Sequence, residues 1–546
     1  MDPFTIASRV GMVLAGLGAG VLVYSMGTRK GDPLQFLRQR LLFCLPLGTL
    51  LSGTLVWAFF MFVQGGWGSG AILTLPFTSW SLQYPLGMAT APIAHQNLGH
   101  LVGNLTSFLI FGSIAEYTFS HYPSGRGTTA FGSLRTNPYV RALLIVPLAV
   151  FGVALLTSLF AWGPIIGFSG VTYAAVGYVL VQYPVGAVVA LAVTDFARTL
   201  VWTFRNPVLT RSAGSSYGGP WWADIAVQTH LLGLLLGVAL GLAIRSARPW
   251  LRRDRPGRVF GASILVGGSL TLWALWWYVG PSSYQLFRGP GVILVVVVAA
   301  LITVADGLRK SPVKDLSARQ LSIGLIVFPV LLMGVIAIPV NATMSPNTVG
   351  TEGPTVTVEG YEIGYGESVA DPRFEPINVS YLPTPDPPRA SGVIVANGDR
   401  HLWTTAVSTG RLKDAGSRTV TVGGLGWREQ VSIDRTGWRA AGGGSAFVVT
   451  ATPPNGSQTA LFESEGATAN TVIDGHRLAI MPSNGDFAIK ATAANNTSSP
   501  SLPATVQVPM PGETVTLGEL TVKNEATVIW IEREDTRVPV FERENE

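Results

Sequence analysis

The sequence predicts a polytopic α-helical membrane bundle that is followed by a soluble, all-β domain at the C-terminus. The 546-residue chain is 48% hydrophobic and 13% charged, which is typical of a membrane protein. Long apolar runs fill the first 345 residues, and none follows them. The charge changes at the same place: residues 1–350 carry 8 acidic and 22 basic side chains, whereas residues 351–546 carry 24 acidic and 15 basic ones. The positive charge therefore flanks membrane spans, and nucleic-acid binding is not predicted.

Ten apolar segments, most of them roughly 17–25 residues long, can each cross a bilayer as a helix. The predicted spans are residues 10–27, 42–64, 98–118, 140–161, 168–183, 185–204, 224–244, 260–279, 290–305 and 320–340. Only Gln182, Tyr183 and Pro184 separate the fifth span from the sixth, which predicts a helical hairpin that turns at Pro184. We expect the membrane-spanning part to end at about residue 345 and the β-rich domain to occupy residues 346–546.

Basic residues concentrate in every second connection between these spans, namely in segments 29–40, 126–141, 245–258 and 309–319. The other connections contain only Arg205, Arg211 and Arg288. Because cytoplasmic loops carry the excess of Lys and Arg, the first set is predicted to be cytoplasmic. The N-terminus and the C-terminal domain are then expected on the outer face of the cell membrane.

The C-terminal domain is predicted from alternating and turn-rich segments. Residues 355–358, 418–422 and 514–517 alternate as strands do, and residues 383–388, 441–445 and 495–503 are typical of loops. We expect one β-sandwich or two small ones. This domain could recruit substrates or other surface proteins. Glycosylation acceptor motifs, which suit an exported domain, occur at Asn341, Asn378, Asn455, Asn495 and Asn496.

Ser169 has the sequence context of an activated nucleophile. It follows a break at residues 163–167 and begins an apolar helix within Gly167-Phe168-Ser169-Gly170. Free backbone N–H groups at a helix N-terminus can stabilise an oxyanion, and the two glycines leave room for a substrate backbone. Taken alone, the motif is more often explained by helix capping or helix packing.

His230 is a candidate general base for Ser169. Gly233 and Gly237 share its helix face, and small residues also line the helix of Ser169. Such surfaces let two helices approach closely, which would bring His230 to Ser169. A structural histidine in a membrane bundle is the alternative. The small residues on the serine helix are Gly170, Ala174 and Gly177.

A third polar group begins another apolar segment. His100 and Asn104 are one helical turn apart, and His95 lies about 140° away from His100 on an ideal helix. We expect His95 to belong to the preceding loop or to support the site. A zinc site is the chemical alternative, but the segment has no His-x-x-x-His pair and no adjacent Glu, and Cys44 is the only cysteine. No metal and no cofactor is predicted.

The spacing of the acidic residues favours a Ser-His dyad over a triad. Asp195 lies mid-span, Asp224 lies off the His230 face, and Glu116 is the only other acid nearby. Tyr173, four residues after Ser169, shares its helix face and could stack on an imidazole. An ordinary interfacial tyrosine is the alternative.

Together these residues resemble the rhomboid family of intramembrane serine proteases. The resemblance lies in four motifs, which are His95-x4-His100-x3-Asn104, Gly167-x-Ser169-Gly170, Tyr173 and His230-x2-Gly233-x3-Gly237. It implies a six-helix catalytic core in 41–245, preceded by an N-terminal helix and loop in 1–40 and followed by three additional helices in 246–345. It also implies Ser169 as nucleophile and His230 as base. It also implies an oxyanion hole formed by His100, Asn104 and the backbone N–H of Ser169, with Tyr173 stacked on His230 and Glu116 as a polar residue near the inner end of its helix.

One loop departs from the family pattern. The family has a Trp-Arg pair before the first histidine, whereas Trp80 in the 79–84 segment has no arginine beside it. The difference concerns loop geometry and not the dyad. The resemblance thus implies a protease that cleaves peptide bonds in or near transmembrane segments of membrane proteins. A catalytically inactive relative that binds membrane helices is the alternative, and a transporter is disfavoured because the polar residues cluster at one set of helix ends.

Overall fold

The structure is a computed structural model that describes residues 3–26, 35–68, 71–123, 126–207, 226–247, 253–280, 283–342, 348–372, 389–473, 475–493 and 505–544. The chain divides near residue 343 into a helical unit and a β unit. Some residues discussed above lie outside the described ranges. They are Arg29, Arg211, Asp224, Asn378, Asn495 and Asn496.

The described part of the helical unit has an apolar helix at each of the ten predicted spans. Together with short helices in the connections, the α-helices of the described part of this unit are, in chain order, α1 (Pro3–Met26), α2 (Gln35–Arg40), α3 (Leu47–Ala58), α4 (Pro85–Thr90), α5 (Leu98–Phe119), α6 (Pro138–Val140), α7 (Val146–Leu159), α8 (Ser169–Gln182), α9 (Pro184–Arg205), α10 (Val227–Ser246), α11 (Pro256–Ser269), α12 (Arg288–Gly307) and α13 (Ala318–Ala342). A π-helical turn extends α3 to Val63, and another joins α6 to α7. Within the described ranges, six helices are long and apolar enough to cross a membrane: α5, the joined α6–α7, α9, α10, α12 and α13. The protein is therefore a multi-pass membrane protein.

The predicted hairpin between α8 and α9 is confirmed. Helix α8 ends at Gln182, and Pro184 is the first residue of α9. Proline is well tolerated at this first helical position, because its missing N–H would have no partner there. Side chains along α9 such as Val185, Val189 and Phe196 are exposed, as expected of a helix that faces lipid.

The prediction of a span over residues 260–279 is wrong in its second half. Helix α11 ends at Ser269, and Thr271 follows with a φ of 57°. The chain then forms a hairpin of β1 (Leu275–Gly280) and β2 (Ser283–Phe287). Hydropathy cannot distinguish an apolar strand from an apolar helix, and tryptophan and tyrosine, which are frequent in this segment, favour strands.

The helices that follow α10 belong to the same bundle. Buried side chains of α8, α10, α11, α12 and α13 form one hydrophobic cluster. Arg245 at the end of α10 forms a buried ion pair with Asp306 of α12. Ser322 of α13 donates a hydrogen bond to the Ala305 carbonyl of α12. Buried ionic and polar groups in a membrane bundle are paired in this way because unpaired groups are costly.

The β unit consists of three antiparallel sheets in its described residues. Its elements are β3 (Val356–Val358), β4 (Tyr361–Ala370), β5 (Arg389–Asn397), β6 (Leu402–Ser408), α14 (Thr409–Ala415), β7 (Ser417–Gly424), β8 (Trp427–Ala440), β9 (Ser445–Thr452), β10 (Thr459–Glu463), β11 (Ala467–Ile473), β12 (His476–Ser483), β13 (Asp486–Ala493), β14 (Thr505–Gln507), β15 (Thr514–Leu517), β16 (Leu520–Asn524), β17 (Val528–Arg533) and β18 (Thr536–Arg543). Strands β3–β6 form one sheet and β11–β14 another, and the remaining eight form the third.

The eight-stranded sheet and the β11–β14 sheet share one core. Trp438 and Val522 of the eight-stranded sheet lie in the same buried cluster as Leu478 and Ile489 of the β11–β14 sheet. Two sheets that bury their inner faces against each other form a sandwich, so the predicted all-β domain is confirmed. The predicted strands at 355–358, 418–422 and 514–517 correspond to β3, β7 and β15, while the predicted loops at 383–388 and 495–503 lie outside the described residues.

The acceptor motif at Asn341 is not available for glycosylation in this fold. The Asn341 side chain is 3% exposed, and its amide is hydrogen-bonded within the helical unit. This asparagine therefore does not support an exported domain. Asn455, by contrast, is exposed in the turn that connects β9 and β10.

Candidate active site

Ser169 is the first residue of α8, and the chain reaches it through an irregular segment. Gly163 and Gly167 have φ values of 92° and 130°, which lie in the region that favours glycine. The Gly167 N–H donates a 2.9 Å hydrogen bond to the carbonyl of Ala91. Residues 160–168 thus turn sharply before the helix begins and leave the Ser169 hydroxyl at its N-terminus.

Ser169 and His230 are in direct contact. The Nε2 atom of His230 lies 2.9 Å from the Ser169 Oγ. His230 is in the first turn of α10, so both side chains lie at the N-terminal ends of their helices. This geometry allows the imidazole to accept the hydroxyl proton of Ser169.

Tyr173 stacks on His230. Their ring centroids are 4.1 Å apart, and the ring planes differ by 15°. The Tyr173 hydroxyl donates a 2.9 Å hydrogen bond to the Leu270 carbonyl, which follows α11. The imidazole plane is therefore fixed on one side by a ring that is itself anchored at its hydroxyl.

Glycines bring α8 and α10 into contact. A Cβ atom on Gly233 would lie 2.2 Å from the carbonyl oxygen of Gly170, and one on Gly237 would lie 1.9 Å from that of Ala174. On the other helix, a Cβ on Gly177 would lie 2.1 Å from the Leu234 carbonyl oxygen. Any side chain at these positions would separate the two helices and, with them, Ser169 and His230.

His100 and Asn104 of α5 lie against the backbone just before Ser169. A Cβ atom on Gly167 would be 2.6 Å from Cε1 of His100 and 3.6 Å from Nδ2 of Asn104. Asn97 caps α5 by accepting a 2.9 Å hydrogen bond from the His100 N–H. The cap fixes the first turn of α5, which orients both polar side chains toward residues 160–168, the segment that leads to Ser169 and is called the serine segment below.

His95 is buried in the loop before α5 and supports this arrangement. Its Nε2 lies 3.1 Å from Nδ2 of Asn104 and accepts a 3.4 Å hydrogen bond from the Phe168 N–H. Burial, and then the nearby His100, lower the pKa of His95 to about 3, so its ring is neutral at ordinary pH. A neutral ring that accepts at Nε2 bridges Asn104 and the residue before Ser169.

A comparison with protein families identifies the helical core. The model of the rhomboid domain matches residues 83–247. The chain contains a rhomboid domain. No curated protein and no solved structure gives a significant match to the chain. The matched range runs from just before α4 to the end of α10, and every candidate site residue lies within it.

The described acidic residues of the rhomboid domain do not contact the dyad. Glu116 accepts hydrogen bonds from the backbone N–H groups of Gly48 and Thr49, and it pairs with His121 at 2.6 Å. Asp195 has a 63% exposed side chain and lies 3.8 Å from Arg198. Within the described ranges, no hydrogen-bond partner reaches the Nδ1 atom of His230, and no three His, Cys, Asp or Glu side chains cluster as metal ligands would.

Sequence reasoning missed two glutamines that hold the site residues of the rhomboid domain. The Gln64 amide accepts a 2.8 Å hydrogen bond from the His95 N–H and donates 2.9 Å bonds to the His95 and Leu73 carbonyls. Gln228, two residues before His230, bonds to the Phe160 carbonyl and the Trp162 N–H. Gln64 is a polar residue at the end of an apolar run, and Gln228 lies in the first turn of the apolar helix that contains His230, so polar character within apolar sequence could have singled out both.

Proposed function

We propose that this rhomboid-domain protein is an intramembrane serine protease that cleaves peptide bonds in or near transmembrane segments of membrane proteins. The contact of 2.9 Å between His230 Nε2 and Ser169 Oγ carries the proposal. A serine hydroxyl is a weak nucleophile unless an adjacent base accepts its proton. The same contact at the N-terminal ends of two membrane helices has no evident packing role.

In the first step, the Ser169 Oγ attacks the carbonyl carbon of the scissile peptide while His230 Nε2 takes the hydroxyl proton. The tetrahedral intermediate collapses when the C–N bond breaks and His230 returns that proton to the leaving amine. The stacked Tyr173 keeps the imidazole in the plane that serves both transfers. The product is an acyl-enzyme on Ser169 and a free amine.

The negative charge on the carbonyl oxygen requires hydrogen-bond donors. The backbone N–H of Ser169 is free at the start of α8, and the side chains of His100 and Asn104 lie beside Gly167. The Asn104 amide has two N–H bonds, so the contact with His95 leaves the second one for the substrate. These three donors make up the proposed oxyanion hole.

The second step restores the enzyme. A water molecule attacks the acyl carbon, His230 accepts a proton from the water, and the Ser169 Oγ leaves with that proton. Water must reach the helix ends where the dyad lies, which is why the site belongs near one membrane surface. We propose the outer surface of the cell membrane, because the connections of the opposite set carry the basic residues.

The decisive experiment compares purified wild type with Ser169→Ala and His230→Ala on a model transmembrane substrate. Wild type should cleave it, and both variants should lose cleavage, because either loss removes nucleophile activation. A fluorophosphonate probe should label Ser169 in wild type and should not label Ser169→Ala.

Tyr183→Phe is a suitable control, since Tyr183 is exposed and follows the last residue of α8, at the opposite end of that helix from Ser169. It should cleave at the wild-type rate. A wild-type protein that inserts and folds but neither cleaves nor reacts with the probe would support the alternative, an inactive rhomboid-like protein that binds membrane helices. Undiminished cleavage by Ser169→Ala would assign the activity to other residues.

A further inference from the structure

Asn341 lies at the end of α13, outside the range matched by the rhomboid-domain model, yet its side chain contacts the segment that leads to Ser169. The side chain is 3% exposed. Its Nδ2 donates hydrogen bonds of 3.1 Å to the Leu159 carbonyl and 2.8 Å to the Ala161 carbonyl. Its Oδ1 accepts a 3.3 Å bond from the Gly163 N–H. One amide thus bonds three peptide groups between the last turn of α7 and the break before α8.

These three peptide groups need partners that their own segment cannot supply. Residues 160–168 have no regular structure, and non-helical backbone in a membrane protein is stable only where other groups satisfy its N–H and C=O groups. Asn341 supplies both donors and an acceptor from a neighbouring helix. Ser79 performs the same task on another side, because its hydroxyl accepts a 2.9 Å bond from the Ile165 N–H.

The backbone of Asn341 also binds the loop before α4. Its carbonyl accepts a 2.8 Å hydrogen bond from the Leu82 N–H and a 3.1 Å bond from the Ser81 hydroxyl. This is the loop in which Trp80 lacks the arginine of the family pattern. Asn341 therefore connects the 79–84 loop and the serine segment at a single point.

Two further contacts hold the serine segment against α13. The Trp162 indole N–H donates a 3.0 Å hydrogen bond to the Met333 carbonyl. Phe160 lies against Gly334, where a Cβ atom would be only 3.2 Å from its ring. The serine segment is thus supported along two turns of α13 and not only at its end.

We infer that Asn341 is a positioning residue for the active site, so that the last additional helix forms part of the catalytic apparatus. The inference rests on the proposed protease function. The position of the Ser169 N–H and of Gly167 depends on the conformation of residues 159–168. A displacement of about 1 Å at a reacting group can lower a rate by as much as 100-fold. Loss of the Asn341 amide should therefore slow the chemical step and leave substrate binding largely unchanged.

The test compares Asn341→Ala and Asn341→Asp with Ile338→Ala, a change of an exposed side chain on the same helix turn. The Asp variant keeps the shape and one acceptor but loses both donors to Leu159 and Ala161. Both Asn341 variants should lower kcat by about 10–100-fold, with KM within about twofold of wild type. Labelling of Ser169 by a fluorophosphonate should slow by a similar factor, whereas Ile338→Ala should behave as wild type. A kcat within twofold of wild type in both folded Asn341 variants would overturn the inference.

A second readout separates this inference from the protease assignment. Amide hydrogen exchange of residues 159–168 should accelerate in Asn341→Ala relative to Ile338→Ala, whether or not the wild type cleaves substrate. Unchanged exchange would overturn the positioning role. If neither Asn341 variant folds, Trp162→Phe removes the indole donor to Met333 while keeping an aromatic ring, and it should still slow Ser169 labelling. Wild-type labelling by that variant would count against the inference.

Discussion

At the scale of single residues, the site depends on pairs of side chains more than on individual ones. His95 accepts hydrogen bonds at Nε2 from Asn104 and from the Phe168 N–H, so one buried ring sets the orientation of a proposed oxyanion donor and of the residue before Ser169. Gln64 in turn binds the backbone of His95 on both its N–H and its carbonyl. Preorganised donors are effective because they need no rearrangement when charge develops on the substrate.

Removal of a side-chain oxyanion donor should slow catalysis without abolishing it. We expect His100→Ala and Asn104→Ala each to lower kcat by about 10–1000-fold, because loss of one oxyanion donor typically costs about 100–1000-fold and the Ser169 N–H remains. Steady-state kinetics on the model substrate measure the effect. Ser113→Ala on the same helix is the control, because its hydroxyl bonds only to the Leu109 carbonyl. Full activity in both variants would mean that backbone donors suffice.

The sequence predicts residues of the candidate site only where their spacing along the chain, or along one helix, is characteristic. Ser169, His230 and Tyr173 were found from motifs whose members are close along the chain or on one helix face. The side chains of Gln64, Gln228 and Asn341, in contrast, donate hydrogen bonds to carbonyls of residues that lie between 9 and 182 positions away along the chain. Asn341 was interpreted as a glycosylation acceptor, because a local motif gives no information on burial.

At the scale of elements, the contact between α8 and α10 determines how closely the two catalytic side chains approach. Glycines on α10 meet carbonyl oxygens of α8 at distances that exclude any Cβ atom. Close backbone approach is the means by which small residues associate membrane helices, where apolar side chains gain little from leaving lipid. The contact between α8 and α10 therefore packs the two helices and also sets the distance between Ser169 and His230.

Gly237→Ala should separate the two helices. The new Cβ would lie 1.9 Å from the Ala174 carbonyl oxygen, which belongs to backbone and cannot rotate away. Overpacking of this kind costs about 1–3 kcal/mol, and we expect a lower unfolding temperature in detergent together with a loss of cleavage. Gly152→Ala on α7 is the matched control, since a Cβ there meets no atom within 4 Å. A Gly237→Ala protein with wild-type stability and activity would contradict this account.

Hydropathy and proline positions predicted the helices well, because a membrane helix must satisfy its backbone internally and must be apolar over its length. The turn at Pro184 followed from the same reasoning. The prediction failed at residues 270–279, where the apolar residues form a strand after α11. There the choice between helix and strand depends on pairing with β2, which a single-segment pattern does not contain.

At the scale of the whole molecule, charge separates a basic helical unit from an acidic β unit. The first 350 residues carry an excess of 14 basic side chains, and residues 351–546 carry an excess of 9 acidic ones. The number of crossings decides on which side of the membrane the β unit lies. Helix α11 is the critical element, because its 14 residues span about 21 Å at 1.5 Å per residue, less than a typical hydrocarbon core.

We expect the β unit on the outer face of the cell membrane. Arg255 precedes α11 and Arg258 lies in its first turn, whereas the described residues between α11 and Phe287 carry no charge. The positive-inside rule therefore favours a crossing at α11 although the helix is short. A tag appended after Glu546 should be removed by protease added to intact cells, whereas a tag inserted in the 245–258 connection, between α10 and α11, should stay protected until the membrane is broken. If the tag after Glu546 is protected as well, the β unit is cytoplasmic. The number of crossings between α10 and the β unit would then be even, and α11 would be the helix that does not cross.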